Sequence, residues 1–172
     1  NAWLDDLCTA GRVMWTRLRP SALESRTGRA GSSLRATPIL LLPRRSAALW
    51  TQLAPVPADD ATLGSRARRV AAWLGEHGAS FFDEIADGAR LLGTELEDAL
   101  SELVARGRVR CDSYAGLRAL LVPASKRSPS HSSHRRRRGA LFGIEDAGRW
   151  SLARPSLSGS ENAASDAVEQ VA

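Results

Sequence analysis

The chain has 172 residues, a formal net charge of +5 at pH 7 and a sequence pI near 10.4. Hydrophobic residues make up 43% of it, which suits a globular core, yet no apolar run approaches the roughly 20 residues of a membrane span. These values argue against a membrane-spanning protein and favour an anionic partner. Of the 24 lysines and arginines, all except Lys126 are arginines. Since Ala and Arg abundance follows GC-rich coding, we expect part of that bias to be genomic.

The ends of the chain have the features of a piece cut from a larger protein. Asn1 begins it, no charged-then-apolar signal segment follows, and residues 161–172 have the pattern of a helix that opens a further unit. Cys8 and Cys111 are too few and too far apart for a disulfide scaffold. We therefore expect reduced, half-buried thiols in a cytoplasmic protein.

Residues 1–20 are predicted to form a helix and then a strand. Apolar residues recur at helical spacing over 2–8, Gly11 is suited to end the helix, and 12–18 alternates as a strand does. This order is that of the C-terminal half of a winged helix. Residues 21–63 are predicted to be a connector, with a short strand over 37–42 and one or two helical turns over 46–53.

Residues 64–154 contain the best-defined unit, a winged-helix module of three helices and two strands. Its first helix is predicted over 65–77. Ser80 is predicted to cap the second helix, and Thr94 with Glu97 has the pattern of a capping box for the third. Leu96, Leu100 and Leu103 recur on one face of that third helix.

The predicted wing consists of strands over 108–113 and 149–152 with a long connection between them. Within the connection, 114–123 is predicted to be helical. The Arg-rich insertion 124–139 lacks aliphatic bulk and acidic residues, so we expect disorder there. Residues 155–172 are predicted to be a linker and the start of the next module. The expected fold is thus α+β: tandem winged-helix modules, one nearly complete and flanked by partial ones, with a long disordered basic wing insertion.

Six stretches in this order resemble the C-terminal half of the large helicase-related (Lhr) family of bacterial superfamily 2 helicases. They are residues 7–15, 36–44, 78–85, 96–109, 112–121 and 148–152. The resemblance implies an ATP-dependent DNA helicase linked to DNA repair, whose motor precedes this segment and uses ATP and Mg²⁺. It also implies a DNA partner, single-stranded or forked, and contacts with neighbouring domains of the same chain. The insertion 124–139 has no counterpart in the family pattern.

Several kinds of chemistry are not supported by the sequence. The phosphate-binding loop of a motor ends in Gly-Lys-Ser/Thr, whereas Lys126 follows Ser125 and precedes Arg127. His131 and His134 have ligand-like spacing but no nearby cysteines, so solvated side chains are expected rather than zinc ligands. We therefore predict no catalytic residue, metal site or cofactor in this segment.

The acidic third helix is a poor candidate for contact with DNA. Residues 94–106 contain four carboxylates and one arginine, a net charge of −3 that would repel phosphate. We expect this helix to pack against a neighbouring module or domain. We also expect Trp3, Trp15, Trp73 and Trp150 to lie in the core, and His77 to interact with the C-terminal dipole of its helix.

Arginines elsewhere in the chain are the predicted DNA-binding residues. They are Arg66 and Arg69 on the first helix, Arg108 and Arg110 on the first wing strand, and Arg135, Arg136, Arg137 and Arg138 in the insertion. A solvated helix face is an equal alternative for the first pair, and a solubilising linker for the last four.

The expected function is therefore an accessory, non-catalytic segment of a DNA helicase that binds nucleic acid or positions neighbouring domains. Two alternatives stay open. The segment could be part of a DNA (uracil) glycosylase unit, or a homo-oligomerisation module that acts through the acidic helix.

Overall fold

The computed structural model describes residues 2–18, 34, 38–53, 62–122 and 143–153. The helices are α1 (Ala2–Thr9), α2 (Ala47–Leu53), α3 (Ser65–His77), α4 (Phe82–Gly88), α5 (Gly93–Ala105) and α6 (Tyr114–Leu121). The strands are β1 (Val13–Thr16), β2 (Leu40–Pro43), β3 (Val109–Cys111) and β4 (Trp150–Leu152), and a 3₁₀ turn occupies Arg44–Ser46. The predicted α+β class is confirmed. In these ranges no helix is long and apolar enough to cross a membrane. The insertion 124–139 and the segment 155–172 lie outside the described residues.

The strands form two antiparallel pairs. In the first, β1 pairs with β2 so that Val13 lies opposite Pro43; in the second, β3 pairs with β4 so that Val109 lies opposite Leu152. The predicted pairing of 149–152 with 108–113 is therefore confirmed. Ser80 adds a bridge on the other side of β4, because its N–H donates to the Trp150 carbonyl at 3.0 Å and its carbonyl accepts from the Trp150 N–H at 2.8 Å.

The same turn from helix to strand occurs twice. Gly11 after α1 and Gly107 after α5 have φ angles of +68° and +67°, a conformation that favours glycine. In both turns the residue after the glycine donates its N–H to the carbonyl five positions back, at 3.0 Å and 2.8 Å. The predicted glycine stops are confirmed at both places.

Each strand pair is also closed by the same backbone hydrogen bond. The Arg12 carbonyl accepts from the Arg44 N–H at 3.0 Å, and the Arg108 carbonyl accepts from the Ala153 N–H at 2.8 Å. Each accepting residue directly precedes the first strand of its pair, and each donor directly follows the second. The two hairpins therefore have the same local geometry, although their connections differ in length, one spanning 17–39 and the other 112–149.

Helix α5 lies at the centre of the hydrophobic core. Leu96, Leu100 and Leu103 are fully buried on one face, as predicted, and α5 packs against α3, α4, α6 and β3. Trp15 of β1 is also fully buried, and its indole N–H donates to the Ser113 carbonyl at 2.7 Å. This bond fastens the first hairpin to the second.

Of the four tryptophans predicted for the core, Trp15 and Trp150 are fully buried, whereas Trp3 and Trp73 are not. Trp3 is 65% exposed, so its prediction is wrong: α1 packs through Leu4 and Cys8, which lie four residues apart on one face, and Trp3 lies off that face. Trp73 is half-buried and stacks on His77, with 3.5 Å between ring centroids. His77 Nδ1 lies 3.1 Å from the Trp73 carbonyl in the last turn of α3, which agrees with the predicted interaction at that helix end.

The predicted caps of α4 and α5 are wrong by one and two residues. Ser80 does not cap α4, because its backbone is paired with Trp150 and its hydroxyl donates to the Gly78 carbonyl at 3.2 Å. The helix begins after Phe81, whose N–H donates to Glu84 at 2.7 Å. Likewise α5 begins at Gly93, before Thr94, and the Leu92 N–H donates to Glu95 at 3.0 Å. Glu95 therefore takes the capping-box role that was predicted for Glu97.

Both cysteines are free, but the prediction of half-buried thiols is wrong. Cys8, on the buried face of α1, packs in the core, and Cys111 is enclosed by β4 and α6. An added Cβ at Gly116 would lie 2.6 Å from the Cys111 sulfur, which shows how closely α6 covers this thiol. Burial raises the pKa of Cys111 to about 11 because the thiolate would lose its hydration.

Candidate nucleic-acid interface

The two predicted DNA-binding arginines of α3 both contact neighbouring helices. Arg66 makes an ion pair with Glu95 of α5 at 2.8 Å while its side chain stays 52% exposed. Arg69 donates to the carbonyls of Ala89 and Arg90, the second at 3.0 Å, and so satisfies the C-terminal end of α4. These contacts occupy part of each guanidinium and give both residues a structural role.

Two carboxylates of α5, those of Glu95 and Glu102, are likewise engaged in local contacts. Glu102 accepts the Gly64 N–H at 3.0 Å and pairs with Arg106 at 3.3 Å. Arg106 in turn donates to the hydroxyl and the carbonyl of Thr62 at 2.6 and 2.8 Å. The acidic face of α5 thus holds the segment that leads into α3, while its opposite face packs in the core.

The two predicted arginines of the wing strand do alternate with buried residues. Val109 and Cys111 are 2% and 3% exposed, so Arg108 and Arg110 project from the other face of β3 and are half-buried. The Arg110 guanidinium extends toward the first hairpin, where its Nη1 lies 3.7 Å from the Met14 sulfur. Burial lowers the pKa of Arg110, and the nearby charge of Arg44 lowers it further.

A cleft of about 80 Å³ lies between the two hairpins and brings three arginines together. Arg44 comes from the 3₁₀ turn that follows β2, Arg110 from β3, and Arg149 from the residue before β4. One carboxylate, that of Asp112, also lines the cleft. It accepts the Arg149 N–H at 2.8 Å and pairs with the Arg149 Nε at 3.3 Å, so it is committed to that arginine.

Of these three arginines, only Arg110 is among the DNA-binding residues predicted from the sequence. Arg149 had a usable signal: the antiparallel pairing predicted for 108–113 and 149–152 permits a register that sets Arg149 opposite Asp112, on the same face as Arg110. Arg44 had none, because its place in the cleft depends on how the two hairpins pack. The other predicted site residues, Arg135, Arg136, Arg137 and Arg138, lie outside the described residues, as do His131 and His134.

A metal centre is not indicated by this part of the molecule. Over the described ranges, no group of three or more His, Cys, Asp or Glu side chains is arranged to hold a metal ion. In the cationic cleft, separate parts of the fold contribute charged side chains to a shared cavity. Its chemistry is that of an anion site, since guanidinium groups donate hydrogen bonds and accept none.

A comparison with models of protein families found no match for this sequence, and a comparison with curated proteins found none either. The resemblance to the large helicase-related family therefore stays a prediction that rests on the six stretches quoted above.

Proposed function

We propose that the chain is an accessory nucleic-acid-binding segment of a bacterial ATP-dependent DNA helicase of the large helicase-related family. In this proposal residues 64–154 are a winged-helix module, and ATP and Mg²⁺ belong to a motor that precedes the segment. The bound nucleic acid is single-stranded or forked DNA in the cytoplasm, and the segment also positions neighbouring domains.

The observation that carries the proposal is the order and pairing of the elements after residue 64. Helix α3, the short extended piece at Ser80, helices α4 and α5, and strands β3 and β4 follow each other as in a winged helix. The bridge between Ser80 and Trp150 supports this interpretation, because it makes Ser80 the third member of the sheet next to β4. Helix α6 is an addition within the wing.

The first hairpin supports the tandem arrangement. Residues 7–13 (Leu-Cys-Thr-Ala-Gly-Arg-Val) and 103–109 (Leu-Val-Ala-Arg-Gly-Arg-Val) share the leucine, the glycine, the arginine and the valine at the same positions. The equal φ angles at the two glycines and the equivalent hydrogen bonds that close the two hairpins fit two related modules. Residues 1–20 would then correspond to the C-terminal half of such a module.

The charges favour contact through the hairpins rather than through the third helix. In a helix-turn-helix arrangement α5 would be the recognition helix, but its outer face is acidic and bound to Gly64, Arg66 and Arg106. These same contacts weaken the case for α5 as an oligomerisation face. The cationic side chains lie instead along β3 and at the ends of β2 and β4.

Single-strand binding followed as a function of salt tests this function. Arg108→Glu combined with Arg110→Glu should weaken the binding of a labelled oligonucleotide and flatten the salt dependence by a slope of roughly 0.7 for each phosphate that the protein no longer neutralises. Deletion of 126–138 in a separate variant measures the contribution of the insertion. Arg45→Glu, an exposed arginine outside the cleft, is the matched charge control. If neither the double substitution nor the deletion lowers affinity, the proposed nucleic-acid contact is wrong.

A further inference from the structure

Two arginines, Arg44 and Arg110, lie near each other in the cleft between the hairpins. Arg44 and Arg110 line the same small cavity, and among the described residues no carboxylate makes an ion pair with either of them. Burial lowers the pKa of Arg110, and the charge of the neighbouring Arg44 lowers it further. Arg110 is half-buried and Arg44 is exposed at the mouth of the cleft. Two like charges that lie close together repel each other, so an anion bound between them would be favourable.

The third arginine of the cleft is held in place by its own carboxylate. Asp112 bonds both the backbone N–H and the Nε of Arg149, which fixes the start of this side chain at the edge of the cavity. With three guanidinium groups and one carboxylate, the lining of the cleft has a net charge of +2. Guanidinium groups match the geometry of phosphate oxygens, with which they form paired, charge-assisted hydrogen bonds.

We propose that this cleft binds one phosphate group of a nucleic-acid strand, with Arg44 and Arg110 as its direct ligands and Arg149 at its edge. The inference rests on the proposed function and deepens it by naming the residues that hold the backbone. A nucleic-acid phosphate fits the setting because the cleft lies at the protein surface, where a strand that follows β3 could insert one of its phosphates.

The position of the ligands gives the contact a second consequence. Arg44 belongs to the first hairpin, whereas Arg110 and Arg149 belong to the second. The two hairpins otherwise meet through contacts such as the Trp15–Ser113 hydrogen bond and the packing of Met14 against Arg110. A phosphate bound between Arg44 and Arg110 would replace their repulsion by two attractions. Binding of the strand would therefore strengthen the junction between the two modules.

A double-mutant cycle on the intact chain tests the shared ligand. Arg44→Gln and Arg110→Gln should each weaken the binding of a labelled oligothymidylate about tenfold, the effect of removing one charge-assisted hydrogen bond. The double variant should be weakened much less than the product of the two single effects, because both arginines bind the same phosphate. Arg45→Gln, which removes the same charge from the next residue, should change affinity less than about twofold. Independent, fully multiplicative effects would overturn the shared site.

Thermal unfolding with inorganic phosphate separates the possible sources of the anion. Without an anion, Arg44→Gln and Arg110→Gln should leave Tm unchanged or raise it, since each removes an unpaired like charge. Inorganic phosphate should raise the Tm of the unmodified chain more than sodium chloride at equal ionic strength does, and should not do so for the double variant.

A phosphate effect together with unchanged oligonucleotide affinity in the variants would overturn the nucleic-acid assignment. A phosphate effect in a chain that binds no oligonucleotide would refute the proposed function while leaving a site for free phosphate. The absence of any phosphate effect and a decrease of Tm in the variants would show that the arginines are structural, and the cleft proposal would then be wrong.

Discussion

The substitution Gly88→Ala tests the packing of α3 against α4, because two effects of opposite sign compete there. Alanine at a helical position normally stabilises a protein by about 0.5–1 kcal/mol relative to glycine. Here, however, an added Cβ would lie 2.3 Å from the Cη2 and Cζ3 atoms of Trp73, which is well inside van der Waals contact. Displacing the indole would break its stack on His77. Overpacking of this kind costs about 1–3 kcal/mol, so we expect a net destabilisation of about 1 kcal/mol.

The assay is thermal unfolding followed by circular dichroism, in which this change corresponds to a Tm decrease of about 2–4 °C for a chain of 172 residues. Gly75→Ala is the matched control: it lies within α3 and would bring its Cβ only to an ordinary 3.9 Å contact with Leu152, so it should raise Tm. Combining Gly88→Ala with Trp73→Leu should remove most of the penalty of the alanine. An increase in Tm for Gly88→Ala similar to that of the control would refute the close contact between Trp73 and Gly88.

Three further predictions concern stability. Arg69→Ala should lower the free energy of unfolding by about 1–2 kcal/mol in urea titrations, because it removes the donor to the end of α4, whereas the exposed neighbour Arg68→Ala should have little effect. Trp15→Phe should cost about 1–3 kcal/mol in the same assay, since it leaves the Ser113 carbonyl without the indole donor. A decrease below about 0.5 kcal/mol would contradict the described junction of the hairpins. The raised pKa of Cys111 predicts full stability below pH 9 and a decrease of about 1.4 kcal/mol per pH unit between about 9 and 11, because only the unfolded chain ionises its thiol there. Cys111→Ala should make this decrease of stability with pH less steep. A pH profile of the variant identical to that of the unmodified chain would count against a buried, protonated thiol.

The order of the elements could be predicted from local sequence signals. Apolar spacing and glycine stops at Gly11 and Gly107 located α1, α5 and the strands that follow them, because a left-handed residue after a helix is a local requirement of the chain. The pairing of β3 with β4 was also predicted, since one strand without a partner leaves backbone groups unsatisfied.

The helix starts and the exposure of Trp3 could not be predicted, because tertiary contacts decide them. Ser80 has the side chain of a helix cap, but the sheet takes its backbone and moves the start of α4. Trp3 has the apolar spacing of a buried residue, but α1 packs through Leu4 and Cys8. Similarly, the predicted DNA-binding Arg69 serves a helix end that lies 20 residues away in sequence.

The candidate site was only partly predictable for the same reason. Arg110 was identified because its alternation with Val109 and Cys111 is visible in the sequence. The role proposed for Arg110 depends on Arg44, which lines the same cleft. Arg44 reaches that cleft only because one hairpin packs on the other. The residue pattern within one β-strand contains no information on such a contact between segments that are far apart in the chain.

The most direct test of the proposed function is a map of backbone amide shifts in the ¹⁵N-labelled chain during titration with a single-stranded oligonucleotide. If the nucleic acid binds between the hairpins, the largest shifts will occur at Met14, Arg44, Arg110 and Ser151, which line the cleft. The exposed positions Thr94 and Asp98 on the acidic helix will shift little. Large shifts confined to α5, or none in either place, would contradict binding through the hairpin cleft.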